Sequence, residues 1–408
     1  MLLRGDTEMK QQSVAQKRGI LVFIVLYLAY TSVYIARLNL SMASPELVKE
    51  GMINTRQIGY LGAVFSIVYA AGRLFNGTVS DRVPPFVMIC SGLVLVGSAN
   101  LAFSVLPVFP AMMVFWAINA FAQSMLWSSV LCASVQVFGE QRAPKMTSYM
   151  VTSVAFGNIA GILLGAFLIN RFGVRYAFVI PGLIPLVLAV AVFAAIRRIG
   201  KPVRQAKTEG GQTGAWRVGG LWITLAMAFM HGLIKENITV WMTVYFVDTY
   251  QIDLSKTSGF ILFIPLVGLL GRLAYPPIYR LCKSNEHAVS LWGFLLCVIG
   301  AAVLISGQAG AVVALVALSL IYAAVSLVNT SLLSIYPLQF APAGKVATVS
   351  GMMDFATYSG GGTGSFLYGL LIDGFGYGSM FFSWGMVSAV CVILAIVLKK
   401  TAVANRNA

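Results

Sequence analysis

Two cations lie inside apolar stretches of the chain, and they lie in matching places. Arg37 and Lys235 each interrupt a long apolar run, and they are 198 residues apart. A second pair, Arg73 and Arg272, each in a Gly-Arg-Leu triplet, is 199 residues apart. A cation at membrane depth costs roughly 3 kcal/mol or more, so such residues usually face a cavity and bind something there. Four cations in register across two halves predict a duplicated membrane protein with a central site for an anion.

Tyrosines accompany the cations of the first half. Tyr30, Tyr34 and Arg37 fall at i, i+4 and i+7, and Tyr69 and Arg73 fall at i and i+4, so each set shares one face of a helix. A tyrosine offers a ring wall and a hydroxyl that can donate to an anion. These five side chains, together with the lysine of the second half, are the predicted substrate-binding residues. Packing against neighbouring helices is the alternative role for the tyrosines.

Two carboxylates at membrane depth, Glu236 and Asp354, are candidates for proton coupling, because a carboxylate near a lysine in a low-dielectric cavity can titrate. A partner for Arg272 or Lys235, or a helix-packing group, is the alternative role for Asp354. Neighbouring helix residues point about 100° apart, so Glu236 is not expected to neutralise Lys235 easily. Arg272 lies near the end of its predicted helix, where snorkelling towards the headgroups explains it equally well.

The elements that must position these residues are membrane helices. The 408-residue chain is 59% hydrophobic and 10% charged, which is too apolar for a soluble protein. Runs of about 20 apolar residues predict an all-α membrane protein with twelve transmembrane helices in two pseudo-symmetric six-helix halves. The predicted helices are residues 19–44, 56–80, 86–106, 108–138, 145–170, 176–198, 219–248, 257–281, 287–307, 310–338, 346–371 and 377–399.

The repeat also sets the predicted domain boundaries. Residues 168–173, LINRFG, resemble residues 371–376, LIDGFG, and glycine-rich runs precede both. The polar stretch between the halves, with its Gly-Gly pair, is typical of a flexible linker. The predicted organisation is a cytoplasmic tail 1–18, a first half 19–198, a cytoplasmic linker 199–218, a second half 219–399 and a cytoplasmic tail 400–408.

The net charge of +15 does not indicate nucleic acid as a partner, because the basic residues are distributed between the two sides of the membrane as the predicted topology requires. Of the 28 basic residues, the five on the proposed outer side are Lys49, Arg56, Arg171, Arg175 and Lys256. This bias places both termini in the cytoplasm of a cell whose inner or plasma membrane holds the protein. The five cysteines and two histidines form no ligand pattern, and no phosphate-binding glycine loop occurs, so no metal, no cofactor and no ATP coupling are expected.

The stretch between the second and third predicted helices contains the most specific sequence motif of the chain. Residues 72–85 read GRLFNGTVSDRVPP, in which Gly77 permits tight packing, Asp81 can cap or pair with a helix end, and Arg82 lies at headgroup level. This stretch resembles the signature loop of the major facilitator superfamily. The resemblance implies a six-plus-six helix transporter. Gly77, Asp81 and Arg82 are predicted to form a latch that holds one end state and releases in the other, and a solvated charge pair in a loop is the alternative role for the two charges.

Three further stretches resemble the organophosphate:phosphate antiporter family, whose members include glycerol-3-phosphate and sugar-phosphate transporters. They are residues 34–45, YIARLNLSMASP, residues 69–77, YAAGRLFNG, and residues 116–127, WAINAFAQSMLW. The resemblance implies that Arg37 and Lys235 clamp the anion and that Arg73 lines the cavity. The chain has Lys235 where that family has an arginine, and residues 153–157 lack the histidine that some members carry, so a carboxylate or another organic anion stays open beside phosphate.

The sequence therefore predicts a transporter, not an enzyme. It would move a small organic anion by alternating access, as a monomer, by exchange, with inorganic phosphate or protons as the coupling ion. A proton-coupled carboxylate symporter of the same fold is one alternative, and a transporter-like organophosphate sensor that binds without flux is another. Cationic drug efflux fits poorly, because four basic residues and two acidic residues lie at membrane depth.

Overall fold

The computed structural model describes residues 2–106, 108–199, 220–251, 263 and 266–407. Within these residues the chain is helical almost throughout, and no strand occurs among them. Eight helical segments of this part are long and apolar enough to cross a membrane. Their apolar side chains provide the lipid-facing surface that a bilayer requires, and helices satisfy most backbone polar groups internally.

Seven helices form the first half. They are α1 (Leu2–Lys49), α2 (Thr55–Ser80), α3 (Pro85–Val105), α4 (Phe109–Ser124), α5 (Leu126–Met150), α6 (Thr152–Phe172) and α7 (Tyr176–Ile199). A capping box between Asn54 and Gln57 begins α2. The helix α5 is broken at Gly139, whose φ of 71° and ψ of 164° are not helical. The part of α5 before Gly139 continues the crossing that α4 begins, and the part after it leads into α6.

The second half repeats this order. It contains α8 (Leu221–Tyr250), α9 (residues 266–273), α10 (Tyr275–Leu281), α11 (Glu286–Ile305), α12 (Ala311–Asn329), α13 (Val346–Phe375) and α14 (Tyr377–Asn407). A π-helical segment, Thr330–Ile335, and a 3₁₀ segment, Tyr336–Phe340, extend α12. Grouped by crossing, the described helices match the other eleven predicted spans, and the first part of the span predicted at 257–281 lies outside the described residues. The helix α1 begins before its predicted span. The predicted linker 199–218 lies almost wholly outside the described residues.

Two units, Met1–Ala206 and Lys207–Ala408, divide the chain, and the same helix pairs pack within each of them. In the first unit α1 packs on α6, and α3 packs on α7. In the second unit α8 packs on α13, and α11 packs on α14. Each unit therefore builds its core around the equivalent of its first and fifth crossings, as expected for a duplicated fold.

Close helix approaches occur in the same register in both units. On α6, a Cβ added to Gly157 would lie 2.7 Å from the carbonyl oxygen of Thr31 on α1. On α13, a Cβ added to Gly360 would clash with the carbonyl oxygen of Phe229 on α8. Thr31 and Phe229 are 198 residues apart, the spacing that separates the two cations. Small residues let these backbones approach closely, as in other membrane helix pairs.

Candidate functional site

Arg37 lies on α1 among three aromatic rings. Its guanidinium carbon is 4.2 Å from the ring centroid of Tyr69, 4.9 Å from that of Phe65 and 5.5 Å from that of Tyr34. Aromatic faces attract a cation, and the attraction grows when water is excluded. The rings therefore stabilise a positive charge at membrane depth, and two of them bring a hydroxyl to the same place.

On the face of α2 that meets α1, aromatic and charged side chains recur every four residues, at Phe65, Tyr69 and Arg73. Phe65 and Tyr69 stack with centroids 5.8 Å apart, and the guanidinium carbon of Arg73 is 5.9 Å from the Tyr69 ring. Arg73 is fully buried, and its Nη1 donates to the carbonyl oxygen of Ser124 at 3.3 Å. The helix α4 approaches closely here, because a Cβ on Gly72 would clash with the Ser124 hydroxyl. Arg73 is thus held from two sides within the first unit.

The predicted tyrosines of α1 lie in one cluster. The rings of Tyr30 and Tyr34 are 5.6 Å apart in an edge-to-face arrangement, and Tyr30 lies 4.9 Å from the ring of Trp127 on α5. Tyr30 and Tyr69 are buried, whereas Tyr34 is half-buried. Of the predicted site residues, the structure therefore brings Tyr30, Tyr34, Arg37, Tyr69 and Arg73 together within the first unit.

Lys235 on α8 contacts its neighbour in sequence. Its Nζ lies 2.5 Å from Oε1 of Glu236, and its ammonium group is 5.7 Å from the ring centroid of Tyr358 on α13. The expectation that Glu236 would not neutralise Lys235 was wrong. The angle of about 100° describes where the two side chains leave the helix, and two long side chains can still meet at their tips. Glu236 lies against Gly361, whose missing side chain leaves room for it.

The other two charged candidates from the second half, Asp354 and Arg272, are buried. Asp354 is 6% exposed on α13, one turn before Tyr358, and Arg272 is 5% exposed at the end of α9. The Nη1 of Arg272 lies beside Gly268, near Tyr322 and Ser326 of α12. Arg272 therefore packs inside the second unit, and the snorkelling explanation was wrong.

The residues of the predicted latch lie at one end of α2. Gly77 is buried within the helix, Asp81 occupies its C-cap position, and Arg82 is exposed. The Sγ of Cys132 on α5 lies 4.0 Å from Oδ1 of Asp81. The structure thus places an acidic group at a helix end, which is the location that a latch requires, and the switching role stays a prediction.

Two aromatic residues that lie beside the predicted cations, one in each unit, were not predicted. Phe65 completes the aromatic surround of Arg37, and the spacing of residues 65, 69 and 73 could have indicated it. Tyr358 faces Lys235, and its position one turn after Asp354 was the only available signal.

Among the described residues, no group of three histidine, cysteine, aspartate or glutamate side chains could hold a metal ion. Within the first unit the arrangement can bind an anion, because the guanidinium of Arg37 and the hydroxyls of Tyr34 and Tyr69 lie together.

Comparison with known proteins places this arrangement in a family. The family model described as Major Facilitator Superfamily matches residues 26–365. The chain is 27% identical over 179 residues to the probable hexose phosphate transport protein of Chlamydia trachomatis serovar D, covering 43% of this chain and 39% of that protein. It is 22% identical over 426 residues to the phosphoglycerate transporter protein of Salmonella typhimurium, covering 94% of this chain and 89% of that protein.

A solved structure shows the same fold. The proton:xylose symporter XylE, bound to 6-bromo-6-deoxy-D-glucose, has a TM-score of 0.75 at 14% identity, covering 93% of this chain and 95% of that one. The chain aligns with about two fifths of the length of the first relative above. The predicted fold class and the predicted resemblance to organophosphate transporters are both confirmed. With a family model that matches most of its length, this multi-pass membrane protein belongs to the Major Facilitator Superfamily.

Proposed function

We propose that the protein is a secondary transporter that exchanges a small organic anion, of the organophosphate class, by alternating access. Arg37 and Lys235 supply one cation from each half to the anionic group, and Tyr34 and Tyr69 donate hydrogen bonds to it. Inorganic phosphate is the proposed counter-substrate. The protein works as a monomer in the cell membrane, with both termini in the cytoplasm.

One observation carries this proposal: the guanidinium of Arg37 lies among Tyr34, Phe65 and Tyr69. The rings stabilise the charged guanidinium at a depth where a bare cation is costly. A bound anion lowers that cost further, so the loaded carrier reorients more readily than the empty one. This difference is what makes a carrier an exchanger and not a uniporter.

The relatives support phosphate compounds as the substrate class. One relative is named for hexose phosphate and the other for phosphoglycerate. Lys235 offers a point charge that suits phosphate or carboxylate, whereas the planar fork of an arginine is specialised for bidentate binding. Phosphate monoesters are therefore the first substrates to test, and carboxylates are the second.

The test is exchange in proteoliposomes. Vesicles loaded with inorganic phosphate should take up labelled phosphate quickly, and vesicles without internal anion should take up little. Vesicles loaded with organophosphates or with carboxylates identify the counter-substrate. Binding of phosphate compounds with no flux under any loading would favour the sensor alternative, and the absence of both binding and flux would overturn the proposal.

Glu236 gives a prediction that separates exchange from proton symport. The substitution Glu236→Gln removes the carboxylate that contacts Lys235, so the lysine can turn fully to the anion. The dissociation constant for phosphate should fall about three- to tenfold, corresponding to ~1 kcal/mol. The measurement is calorimetric titration with phosphate. Asp248→Asn, an exposed carboxylate on the same helix, is the matched control and should have no effect.

Proton symport makes the opposite prediction for the same variant. If Glu236 carries the coupling proton, Glu236→Gln should abolish uptake driven by an inward pH gradient, and so should Asp354→Asn if that residue carries it. Loss of gradient-driven carboxylate uptake in either variant would favour the symporter.

A further inference from the structure

A buried asparagine follows each of the two site cations by two residues. Asn39 follows Arg37 and Asn237 follows Lys235, at 1% and 0% exposure. The two asparagines are 198 residues apart, as the cations are. Both cations are partly exposed, so each helix presents a charged residue on one side and a buried amide on another. The repetition in both units indicates a shared purpose.

In the first unit, Asn39 connects α1 to α3. Its Nδ2 donates to Oδ1 of Asn100 at 2.6 Å. Asn100 in turn donates through Nδ2 to the carbonyl oxygen of Val96, at 2.9 Å, and to Oδ1 of Asn119 on α4, at 3.4 Å. All three asparagines are almost completely buried. A network of buried amides is directional, so it fixes how its helices are rotated as well as how far apart they lie.

The same network reaches the residue before Arg37. Nδ2 of Asn119 donates to the carbonyl oxygen of Ala36 at 3.5 Å, and Nε2 of Gln123 donates to Oδ1 of Asn119 at 3.1 Å. The helix α1 is therefore bonded on both sides of Arg37, through the backbone carbonyl of Ala36 and the side chain of Asn39. The rotation of α1 at this level is set by α3 and α4.

In the second unit, Asn237 connects α8 to α13 instead. Its Nδ2 donates to the carbonyl oxygen of Gly361 at 3.0 Å and to that of Leu233 in its own helix at 2.9 Å. Its Oδ1 accepts from the hydroxyl of Ser365 at 2.9 Å. A side chain at Gly364 would clash with the Asn237 amide, so the glycine makes room for this contact.

Helix geometry explains how a buried amide can direct a cation. Residues two positions apart point about 200° apart around the axis, so the asparagine and the cation leave their helix on different sides. We infer that Asn39 and Asn237 are positioning residues that set the rotation of α1 and α8, and with it the direction of Arg37 and Lys235 towards the anion. The role of the cations in this inference rests on the proposed function, whereas the rotation itself does not.

Thiol labelling tests the rotation without any substrate. In a background whose five native cysteines are replaced by alanine, Arg37→Cys is labelled with a negatively charged methanethiosulfonate, with and without Asn39→Leu. The labelling rate should change at least about fivefold, because a small misplacement of a site residue has a large effect. Ser66→Cys, at an exposed position on α2, should label at an unchanged rate. Lys235→Cys with Asn237→Leu gives the same test in the second unit.

Unchanged labelling at position 37, or equal increases at positions 37 and 66, would overturn the inference, since the second result shows general loosening. If Asn39→Leu does not fold, Asn119→Ala leaves Asn39 in place, removes the contact to Ala36 together with those to Asn100 and Gln123, and should change labelling in the same way. Phosphate exchange is a separate readout. There, Asn39→Leu should raise KM about tenfold and leave the maximal rate within about twofold, whereas Ser32→Ala, which removes a buried bond within α1, should change neither. Absence of exchange in the parent protein would refute the proposed function and leave the labelling result standing.

Discussion

Replacing Arg37 by alanine should abolish anion recognition and leave the ligand-free protein as stable as before, or more stable. The affinity for phosphate compounds should fall at least about 100-fold, corresponding to ~2.7 kcal/mol, because the charged donor is lost. The stability of the empty protein should not fall, since a cation at membrane depth is costly even among the rings of Tyr34, Phe65 and Tyr69. The measurement is the melting temperature with and without ligand, because a ligand of the folded state raises it.

The control variant is Arg175→Ala, which removes an exposed arginine from the same half. It should leave the ligand-induced shift in melting temperature intact. A lower melting temperature of the empty Arg37→Ala variant, together with a retained ligand shift, would show that Arg37 is a structural residue. The anion would then have to bind elsewhere.

The second large effect is expected from replacing a glycine, and it is an effect on stability. Gly360→Ala should lower the apparent melting temperature by at least about 5 °C, because a methyl group there clashes with the carbonyl oxygen of Phe229 on α8. The clash is with backbone, which cannot turn away as a flexible side chain can. The helices α8 and α13 would have to separate, and the contacts of Asn237 with Gly361 and Ser365 would weaken with them. Fluorescence-monitored melting of the detergent-solubilised protein is the measurement.

The same helix offers a matched control for this prediction. Gly362 lies two residues further along α13, and nothing lies within 4 Å of a Cβ added there. Gly362→Ala should be neutral or slightly stabilising, because alanine favours helix by about 1 kcal/mol over glycine. Equal destabilisation by both substitutions would show that glycine flexibility matters, and not the close approach of α8.

The fold could be predicted from the sequence because its physical signals are strong. Runs of about 20 apolar residues between charged or glycine-rich segments leave little choice but membrane helices. The offset between Arg37 and Lys235 predicted the duplication, and the equivalent packing of α1 on α6 and of α8 on α13 agrees with it. The family resemblance was confirmed by the match to the superfamily model.

Helix periodicity predicted which site residues share a helix face, but not which residues of other helices they contact. Spacings of three and four residues placed Tyr34 with Arg37, and Tyr69 with Arg73, on shared faces. It did not show that Phe65 completes the surround of Arg37, because that depends on which face of α2 meets α1. It failed for Glu236 and for Arg272, where side-chain length and tertiary packing decide the contact. The joint role of the site cations stays a prediction.

The break at Gly139 fixes how deep the aromatic cluster lies. Gly139 is partly exposed and not helical, and such backbone is not tolerated against lipid tails, so it marks the aqueous edge of the bilayer. Trp127, which contacts Tyr30, is twelve residues earlier on α5, or about 18 Å of helix rise. In a hydrocarbon layer of about 30 Å, this depth is near the middle. Under the proposed function, an anion has to cross about half of the hydrocarbon layer to reach these rings, and it needs a water-filled path over that distance because an ion surrounded by lipid tails is costly.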